Sequence, residues 1–367
     1  MTHRSTGMNR RQFLRAGGVT SLAMAGLGGA PSMAAAAGPP HPDPADGAID
    51  LSAPATALFT HRYLTCVRTV MQSFAVDPRA GHVYVLQIVQ ANTPLPGDEP
   101  GDEAYARRTE RGDLALTKLD LSGNRLGHMY LKHFGHGVSM GLERDGDQVF
   151  LWTEIDTLPN AAGDGRGSRL TRFPFTDGAV LDAERDADLY RRELIAGATQ
   201  TTCNIDPANE RLVMRYYRDA EFRYALFDLA HIKQERPTYE PVFDVGTPAE
   251  VSGVFQGYAS LGDHLYMMVG TKYGAGNPPP PEGMGDAALT RLRWSTGEVD
   301  AHTDEHSGLD LHRREPEGLA VALTPPGRSG NTSRATARLY SGFATSAHES
   351  PDADRLCTIF YRSSTGR

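Results

Sequence analysis

The feature that most constrains this sequence is a repeat of about 60 residues. Three segments alternate apolar and polar residues and then run into a turn: LTKLDLSGN from Leu116, LTRFPFTDG from Leu170 and LTRLRWSTG from Leu289. Their spacings, 170 − 116 = 54 and 289 − 170 = 119, are close to one and two such units. Strict alternation is typical of a half-buried β-strand, so the chain is predicted to repeat a small sheet.

A second element recurs with the same period. Strongly apolar strands follow a turn at Val83, Val149, Leu212 and Leu265, at intervals of 66, 63 and 53 residues. A short strand of small and polar residues precedes each apolar strand, and a fifth example occurs near the C-terminus; the five are QSFAVD, HGVSMGLE, TTCNID, FQGYASL and PEGLAVAL. Each unit is therefore predicted to be an antiparallel sheet of up to four strands.

Five such units predict an all-β fold, a five-bladed β-propeller that occupies residues 58–367 as a single domain. One small twisted sheet cannot bury both its faces, whereas sheets arranged around an axis bury each other. The first strand of each blade lines the narrow axis, which explains its small residues. A pair of β-sandwiches is the alternative, but it gives no reason for the equal spacing.

The N-terminal 57 residues are set apart from this repeat. Residues 1–36 are predicted to be a Tat signal peptide, because Arg10-Arg11-Gln12-Phe13-Leu14 precedes a short Gly/Ala-rich apolar stretch and Ala34-Ala35-Ala36. Residues 37–57 are rich in Pro and Ala and are predicted to be a linker. We expect a secreted monomer, released or wall-associated, with no membrane-spanning segment.

The net charge narrows the choice of partner. The chain carries a formal charge of −8, and removal of the signal peptide with its four arginines leaves about −8 − 4 = −12. An acidic protein without a basic stripe is not expected to bind nucleic acid. If its ligand is an anion, recognition must come from a local site.

The three cysteines lead to a prediction about ring closure. Cys66 lies near the start of the predicted propeller and Cys357 near its end, and a closed ring pairs such end strands in one blade. We therefore predict a Cys66–Cys357 disulfide, which an export compartment permits. Cys203 is predicted to be a small buried residue of an inner strand.

The sequence also resembles a known family, that of the TagC-like propellers named for teichoic acid biosynthesis protein C and shared with receptor-binding proteins of phages that attach to Gram-positive cell walls. The likeness covers most of residues 65–365. The stretches that carry it are Met71-Gln72-Ser73-Phe74 with Tyr84 and Gln87, Gly135-His136-Gly137, Gly141-Leu142-Glu143, Trp152-Thr153-Glu154, Gln256-Gly257-Tyr258 and Glu315-Pro316-Glu317-Gly318-Leu319.

The resemblance implies a surface that meets wall teichoic acid, a polyol phosphate polymer. Secreted members resemble teichoic acid hydrolases, which cut the phosphodiester backbone, and the phage members resemble binders. A single propeller behind a Tat signal is more similar to the secreted hydrolase type, so a phosphodiesterase is predicted. The alternatives are a propeller that binds the wall polymer without chemistry and a five-bladed-propeller glycosidase that uses two carboxylates.

Six residues are predicted to form the site. His136, between two glycines, is the expected acid or base, with His133 as the reserve, and Glu154 is expected to assist it. Gln72, Gln256 and Tyr258 are expected to hold phosphate oxygens as neutral donors. Glu317 is the predicted metal ligand, for a Ca²⁺ ion that would neutralise the phosphate. No motif of a serine hydrolase, nucleotide-binding or zinc protein is present.

Overall fold

The structure is a computed structural model that describes residues 48–99, 101, 103–325 and 335–364. The predicted signal peptide and residues 37–47 of the predicted linker lie outside this range. Within it the helices are a 3-10 helix (Glu103–Arg107), α1 (Arg108–Arg111) and α2 (Leu229–Lys233). None of these helices has the length and hydropathy needed to span a bilayer.

The described residues form five sheets, each of which is one blade. The first strand of the chain is β1 (Thr56–Tyr63). Blade 1 holds β2 (Met71–Asp77), β3 (His82–Ile88), β4 (Leu114–Asp120) and β5 (Arg125–Lys132). Blade 2 holds β6 (Gly141–Asp145), β7 (Gln148–Pro159) and β8 (Gly165–Pro174). The next are β9 (Val180–Asp182) and, in blade 3, β10 (Thr199–Asp206), β11 (Arg211–Arg218), β12 (Glu221–Asp228) and β13 (Phe243–Gly246). Blade 4 holds β14 (Phe255–Leu261), β15 (His264–Val269), β16 (Ala288–Arg293) and β17 (Val299–Asp304), and blade 5 holds β18 (His312–Thr324), β19 (Thr336–Ser346) and β20 (Leu356–Ser363).

The five inner strands form a closed ring. The contacts run from β2 to β6, β10, β14 and β18 and back to β2. The ring is tight: a Cβ added at Gly257 of β14 would lie 2.7 Å from the backbone nitrogen of Leu319 in β18. The N-terminal strand β1 pairs with β20 as the outer strand of blade 5, where Arg62 lies opposite Cys357. The predicted five-bladed propeller and the pairing of its end strands are confirmed.

The repeat placed the main strands correctly. The five predicted small and polar strands contribute to the inner strands, although in blade 2 the strand begins only at Gly141. Val83, Leu212 and Leu265 are fully buried on the second strands, as the apolar pattern predicts. These buried second strands fill the space between neighbouring blades.

Blade 2 departs from the four-stranded pattern. Its sheet has three strands, and the chain after β8 crosses to blade 1, where β9 pairs in parallel with β5. The crossover is held by apolar packing, since Ala179 and Leu181 join the cluster that fills the space between blades 1 and 2. Among the described residues, blade 2 is extended beyond β8 only by the isolated antiparallel bridge between Leu170 and Arg192.

The propeller body begins before the predicted boundary at residue 58. Ile49 and Leu51 are buried in the core between blades 4 and 5. Arg291 donates to the carbonyl of Ile49 at 3.0 Å, and Arg362 donates to that of Ala53 at 2.8 Å. Ile49 and Leu51 thus anchor this segment to the core, although its Pro/Ala-rich composition predicted a linker.

The predicted disulfide is wrong. Cys66 and Cys357 are both unbonded, as is Cys203. The physical reason is that they pack in different places: Cys66 contacts the small cluster around Val89, whereas Cys357 is part of the cluster around Phe74. The end strands do pair, but Cys357 faces Arg62 and not the turn that holds Cys66.

Candidate functional site at the mouth of the propeller

We call the face on which the inner strands begin the mouth face, and the face on which they end the far face. Because neighbouring strands of a blade run antiparallel, the second strand of each blade ends on the mouth face and the third strand begins there. The loop that leads into β6, residues 133–140, therefore opens onto it. Gln72, Gln256 and Glu317 lie on inner strands near this face, as predicted.

Glu154 fixes the geometry of the mouth. Its side chain is fully buried on β7. One carboxylate oxygen accepts hydrogen bonds from the backbone nitrogens of His136 (3.1 Å) and Gly137 (2.7 Å), and the other accepts from Gly167 (2.5 Å). Gly135 has a φ of +139°, and a Cβ there would collide with this carboxylate, which is why the loop needs glycine.

This position gives Glu154 a structural role. Burial raises the pKa of Glu154, an effect that outweighs the three backbone N–H groups that favour the carboxylate. A side chain with no exposed surface and three internal donors positions the loop and does not reach a substrate. The sequence predicts that Glu154 assists catalysis directly; in the structure it instead joins the loop of His136 to the start of β8.

His136 lies on the loop that the hydrogen bonds of Glu154 hold in place. Its side chain is only partly buried. The backbone of Gly112 accepts hydrogen bonds from Phe134 and Gly135, which fixes the loop from its other side. Because Gly167 binds the same carboxylate as His136, the start of β8 and its Arg166 lie beside the histidine loop. The structure thus brings His136 close to a guanidinium-bearing segment that the sequence analysis did not identify.

Arg215 is a second cation of the mouth that sequence reasoning missed. Its guanidinium carbon lies 3.6 Å from the ring centre of Phe222 and 3.8 Å from that of Phe255. Desolvation lowers the pKa of Arg215, with the hydroxyls of Tyr224 and Tyr258 opposing the effect and the positive charge of Arg166 adding to it. In the described part of the chain, Arg215 has no carboxylate partner within ion-pair distance. A charged residue inside the apolar strand LVMRYY was the available signal.

The structure separates the three predicted donors. Gln72 and Gln256 are each 7% exposed, and the amide nitrogen of Gln256 donates to the carbonyl of Gly270 at 2.7 Å. Tyr258 is fully buried; its hydroxyl lies 3.0 Å from that of Thr202 and accepts from the backbone of Arg215 at 3.1 Å. Burial raises the pKa of Tyr258. Tyr258 therefore stabilises the junction of blades 3 and 4 and has no surface to offer a ligand.

Glu317 lies on β18 near the axis and is 5% exposed. Burial raises its pKa well above the usual value; the carboxylate of Glu315 adds to this effect and Arg313 opposes it. Across the described residues no three His, Cys, Asp or Glu side chains lie close enough together to share a metal ion. A Ca²⁺ ion at Glu317 therefore stays a prediction, and no later step passes through it.

Comparison with known proteins gives consistent matches. The model of the phage 5-bladed beta propeller receptor binding platform domain matches residues 70–278. A Bacillus subtilis (strain 168) protein named "Putative major teichoic acid biosynthesis protein C" is 25% identical over 268 residues, which cover 70% of this chain and 54% of that protein. The chain thus spans about half the length of this relative.

A solved structure agrees on the fold. The tail fiber of Staphylococcus aureus phage P68 superposes with a TM-score of 0.59 and 18% identity, over 86% of this chain and 54% of the fiber chain. A thermostable family-43 glycoside hydrolase reaches a TM-score of only 0.40 with 10% identity, over 82% of this chain and 92% of the hydrolase. At that level the likeness lends no weight to the glycosidase alternative.

Proposed function

The chain belongs to the phage 5-bladed β-propeller receptor-binding platform family, and on that premise we propose that it binds an anionic cell-wall polymer of the teichoic acid type on its mouth face. The family and the name of the Bacillus relative support a wall polymer as the partner. A polyol phosphate chain presents a negative charge at each repeat, so it needs cations at defined places.

Arg215 is the observation that carries the proposal. A guanidinium held between two aromatic rings, with no acid beside it, keeps its charge available to a ligand. Arg166 adds a second cation nearby, and its nearest acid, Asp164, is 3.6 Å away. Guanidinium groups match the geometry of phosphate oxygens. On a chain with a net charge of −8, such a local site is what anion recognition requires.

Purified glycerol-phosphate teichoic acid tests the binding. Arg215→Met keeps an apolar side chain between the rings and removes the charge, so we expect binding at least about 10-fold weaker, which corresponds to about 1.4 kcal/mol. Arg79→Gln is the matched control, because Arg79 is 61% exposed and lies just beyond the far end of β2. Equal affinity of Arg215→Met and the wild type, measured by co-sedimentation, would refute the mouth site.

The proposal extends to hydrolysis of the phosphodiester bonds. The supporting observation is that two histidines, His133 and His136, lie on one loop that is fixed beside Arg166. Glu154 then acts as a positioning residue. A glycosidase that used Glu154 as one of its two carboxylates is disfavoured, because both oxygens of Glu154 accept hydrogen bonds from backbone N–H groups. Shortening of the polymer on a gel, together with new phosphomonoester released by phosphatase, measures cleavage.

Export remains part of the proposal. The twin-arginine pattern at Arg10 and Arg11 would carry the folded protein to the wall, where the polymer is found. Replacement of both residues by Lys should retain the protein inside the cell. Secretion of that variant at the wild-type level would rule out the Tat route.

A further inference from the structure

A cavity of about 460 Å³ opens on the mouth face between blades 1 and 2, away from the axis. Its lining includes His133, which follows β5, and residues of α1, of the end of β7 and of β8. It contains four arginines and three acids: Arg107, Arg111, Arg169, Arg191, Glu110, Asp156 and Glu184. With its histidine neutral, the lining carries one net positive charge on a chain that is acidic as a whole.

His133 is the histidine of this cavity. Its Nδ1 lies 3.0 Å from Oδ1 of Asp182, and the side chain is 7% exposed. Its Nε2 is buried and has no hydrogen-bond partner among the described residues; the nearest acid, Glu184, is 3.5 Å away and 67% exposed. The backbone nitrogen of His133 donates to Asp113 at 3.1 Å, so the residue is held from both ends.

Asp182 is equipped to orient the imidazole. Burial alone would raise the pKa of Asp182. The backbone N–H of Glu184, the imidazole of His133 and the positive charge of Lys132 together outweigh that effect, so the pKa of Asp182 is lowered. Lys132 and Arg185 lie 3.8 and 3.7 Å away. A carboxylate that stays ionised next to Nδ1 keeps a proton on that nitrogen and leaves Nε2 as the acceptor.

Two more polar atoms of the cavity have no partner in the described part of the chain. They are Nε of Arg111 and Oγ1 of Thr157, both buried. Arg169 and Arg191, by contrast, share Asp156 at 3.1 Å each. His133, Arg111 and Thr157 all line this cavity, and each has a buried polar atom without a partner among the described residues. Buried polar groups left unpaired are costly unless a ligand or water satisfies them.

We propose that this cavity binds a phosphate ester group of the polymer and that His133, oriented by Asp182, is the acid and base for its hydrolysis. Arg111 and Thr157 would contact the phosphate oxygens. The inference rests on the proposed function for its substrate, and it places the chemistry at His133, whereas the sequence analysis placed it at His136. Both histidines lie on one loop, so a polymer bound at the mouth can reach the cavity.

The step balances with water as the only co-reactant. Neutral His133 takes a proton at Nε2 from a water molecule whose oxygen attacks the phosphorus. The bond from phosphorus to one polyol oxygen breaks, and the imidazolium returns the proton to that oxygen. The products are a phosphomonoester end and a free hydroxyl. General acid–base catalysis of this kind contributes about 10²- to 10⁴-fold.

The deciding experiment compares two histidine variants on glycerol-phosphate teichoic acid. His133→Asn should lower the cleavage rate by at least about 100-fold and leave co-sedimentation with the polymer within about twofold of wild type. His136→Asn should retain more cleavage than His133→Asn, and the exposed His348→Asn is the matched control. Asp182→Asn, a positioning variant, should lower kcat with little change in KM. Wild-type cleavage by His133→Asn, or no cleavage by the wild type, would overturn the inference.

A second measurement separates this inference from the proposed function. The imidazole nitrogen resonances of His133 are followed by NMR in the whole protein while glycerol 3-phosphate is added. We expect them to shift, and to shift less in Arg111→Gln, whereas those of His348 stay in place. If the polymer does not bind but these resonances shift, the mouth proposal fails and the cavity stands as a phosphate ester site. If they do not move, the cavity proposal is wrong even where the polymer binds.

Discussion

At the far face Arg144 lies 2.5 Å from Asp77, and Arg172 and Lys233 both bind the buried carboxylate of Glu143, at 2.7 and 2.8 Å. At the mouth, Arg215 lies between phenyl rings. These far-face cations and Arg215 thus differ in how their charge is matched, although Arg169 and Arg191 of the mouth-face cavity also share an acid, Asp156. Where cations are matched by acids, the groups stabilise the fold and offer little to a partner. Where a cation lies between aromatic rings and no carboxylate pairs with it, as at Arg215, its charge is not neutralised.

The largest expected difference concerns stability. Glu143→Ala leaves the indole N–H of Trp152 and two cations without their shared acceptor, so we expect the free energy of unfolding to fall by about 3–5 kcal/mol. Arg215→Met should lower it by about 1 kcal/mol, since the rings keep an apolar partner. Denaturant unfolding measures both. If the two variants are equally destabilised, the contrast between the faces is broken.

The next effect is a dependence on pH at the far face. Burial raises the pKa of Asp206 to about 6, although the backbone N–H groups of Ala208 and Gly262 favour its charged form. Between about pH 4 and pH 6 the folded chain holds this proton and the unfolded chain does not. The proton therefore stabilises the fold at low pH, and about 3 kcal/mol is lost as the pH rises through 6.

Asp206→Asn isolates that contribution. The variant should lose the part of the pH dependence between pH 4 and 6 that Asp206 supplies, whatever its stability at one pH. Thermal unfolding of both proteins across this range is the measurement. Parallel curves for variant and wild type would show that Asp206 ionises as it does in the unfolded chain.

A smaller effect sharpens the mouth side of the comparison. Salt screens exposed charges, so raising the ionic strength should weaken polymer binding by the wild type several-fold. Arg215→Met has lost one of the cations responsible, and its binding should depend less steeply on salt. Co-sedimentation at two salt concentrations tests this. An identical salt dependence would mean that Arg215 does not meet the polymer.

The smallest expected effect is that of a far-face charge. Arg79 is exposed, and its ion pair with Asp147, at 3.7 Å, is solvated on both sides. Arg79→Gln should change polymer affinity by less than about twofold and stability by less than about 0.5 kcal/mol. A clear loss of binding would move the polymer, or part of it, to the far face.

The sequence predicts the fold better than the site for a physical reason. Burial of a whole strand leaves a pattern, and Val83, Leu212 and Leu265 were placed correctly because they repeat. The crossover at β9 has no counterpart in the other units, so the repeat pattern does not predict it. The anchors Ile49 and Leu51 were missed because two apolar residues in a Pro/Ala-rich segment make no pattern.

Site residues depend on contacts between distant segments. Glu154 was identified from its motif, but its three donors come from the loop of His136 and from the start of β8, so its structural role could not be foreseen. Tyr258 was expected to hold phosphate oxygens, yet its hydroxyl is buried against that of Thr202. The signal for Arg215 was present, since a cation within a buried strand needs an explanation. His133 was named only as a reserve, because Asp182 lies 49 residues away in the chain.

The pairing of β1 with β20 bears on how the molecule is made. The outermost strand of blade 5 is the first to be synthesised and its neighbour the last, so four blades and part of a fifth can form while the ring is still an open arc. During that time β1 has no partner and its edge is exposed, which is a hazard for pairing with another chain. The pairing of β20 with β1 is then a late event that joins the two ends of the chain. A truncation within Leu356–Ser363 would therefore leave β1 without its partner and reduce blade 5 to β18 and β19, whereas the contact of β18 with β2 that closes the inner ring would remain.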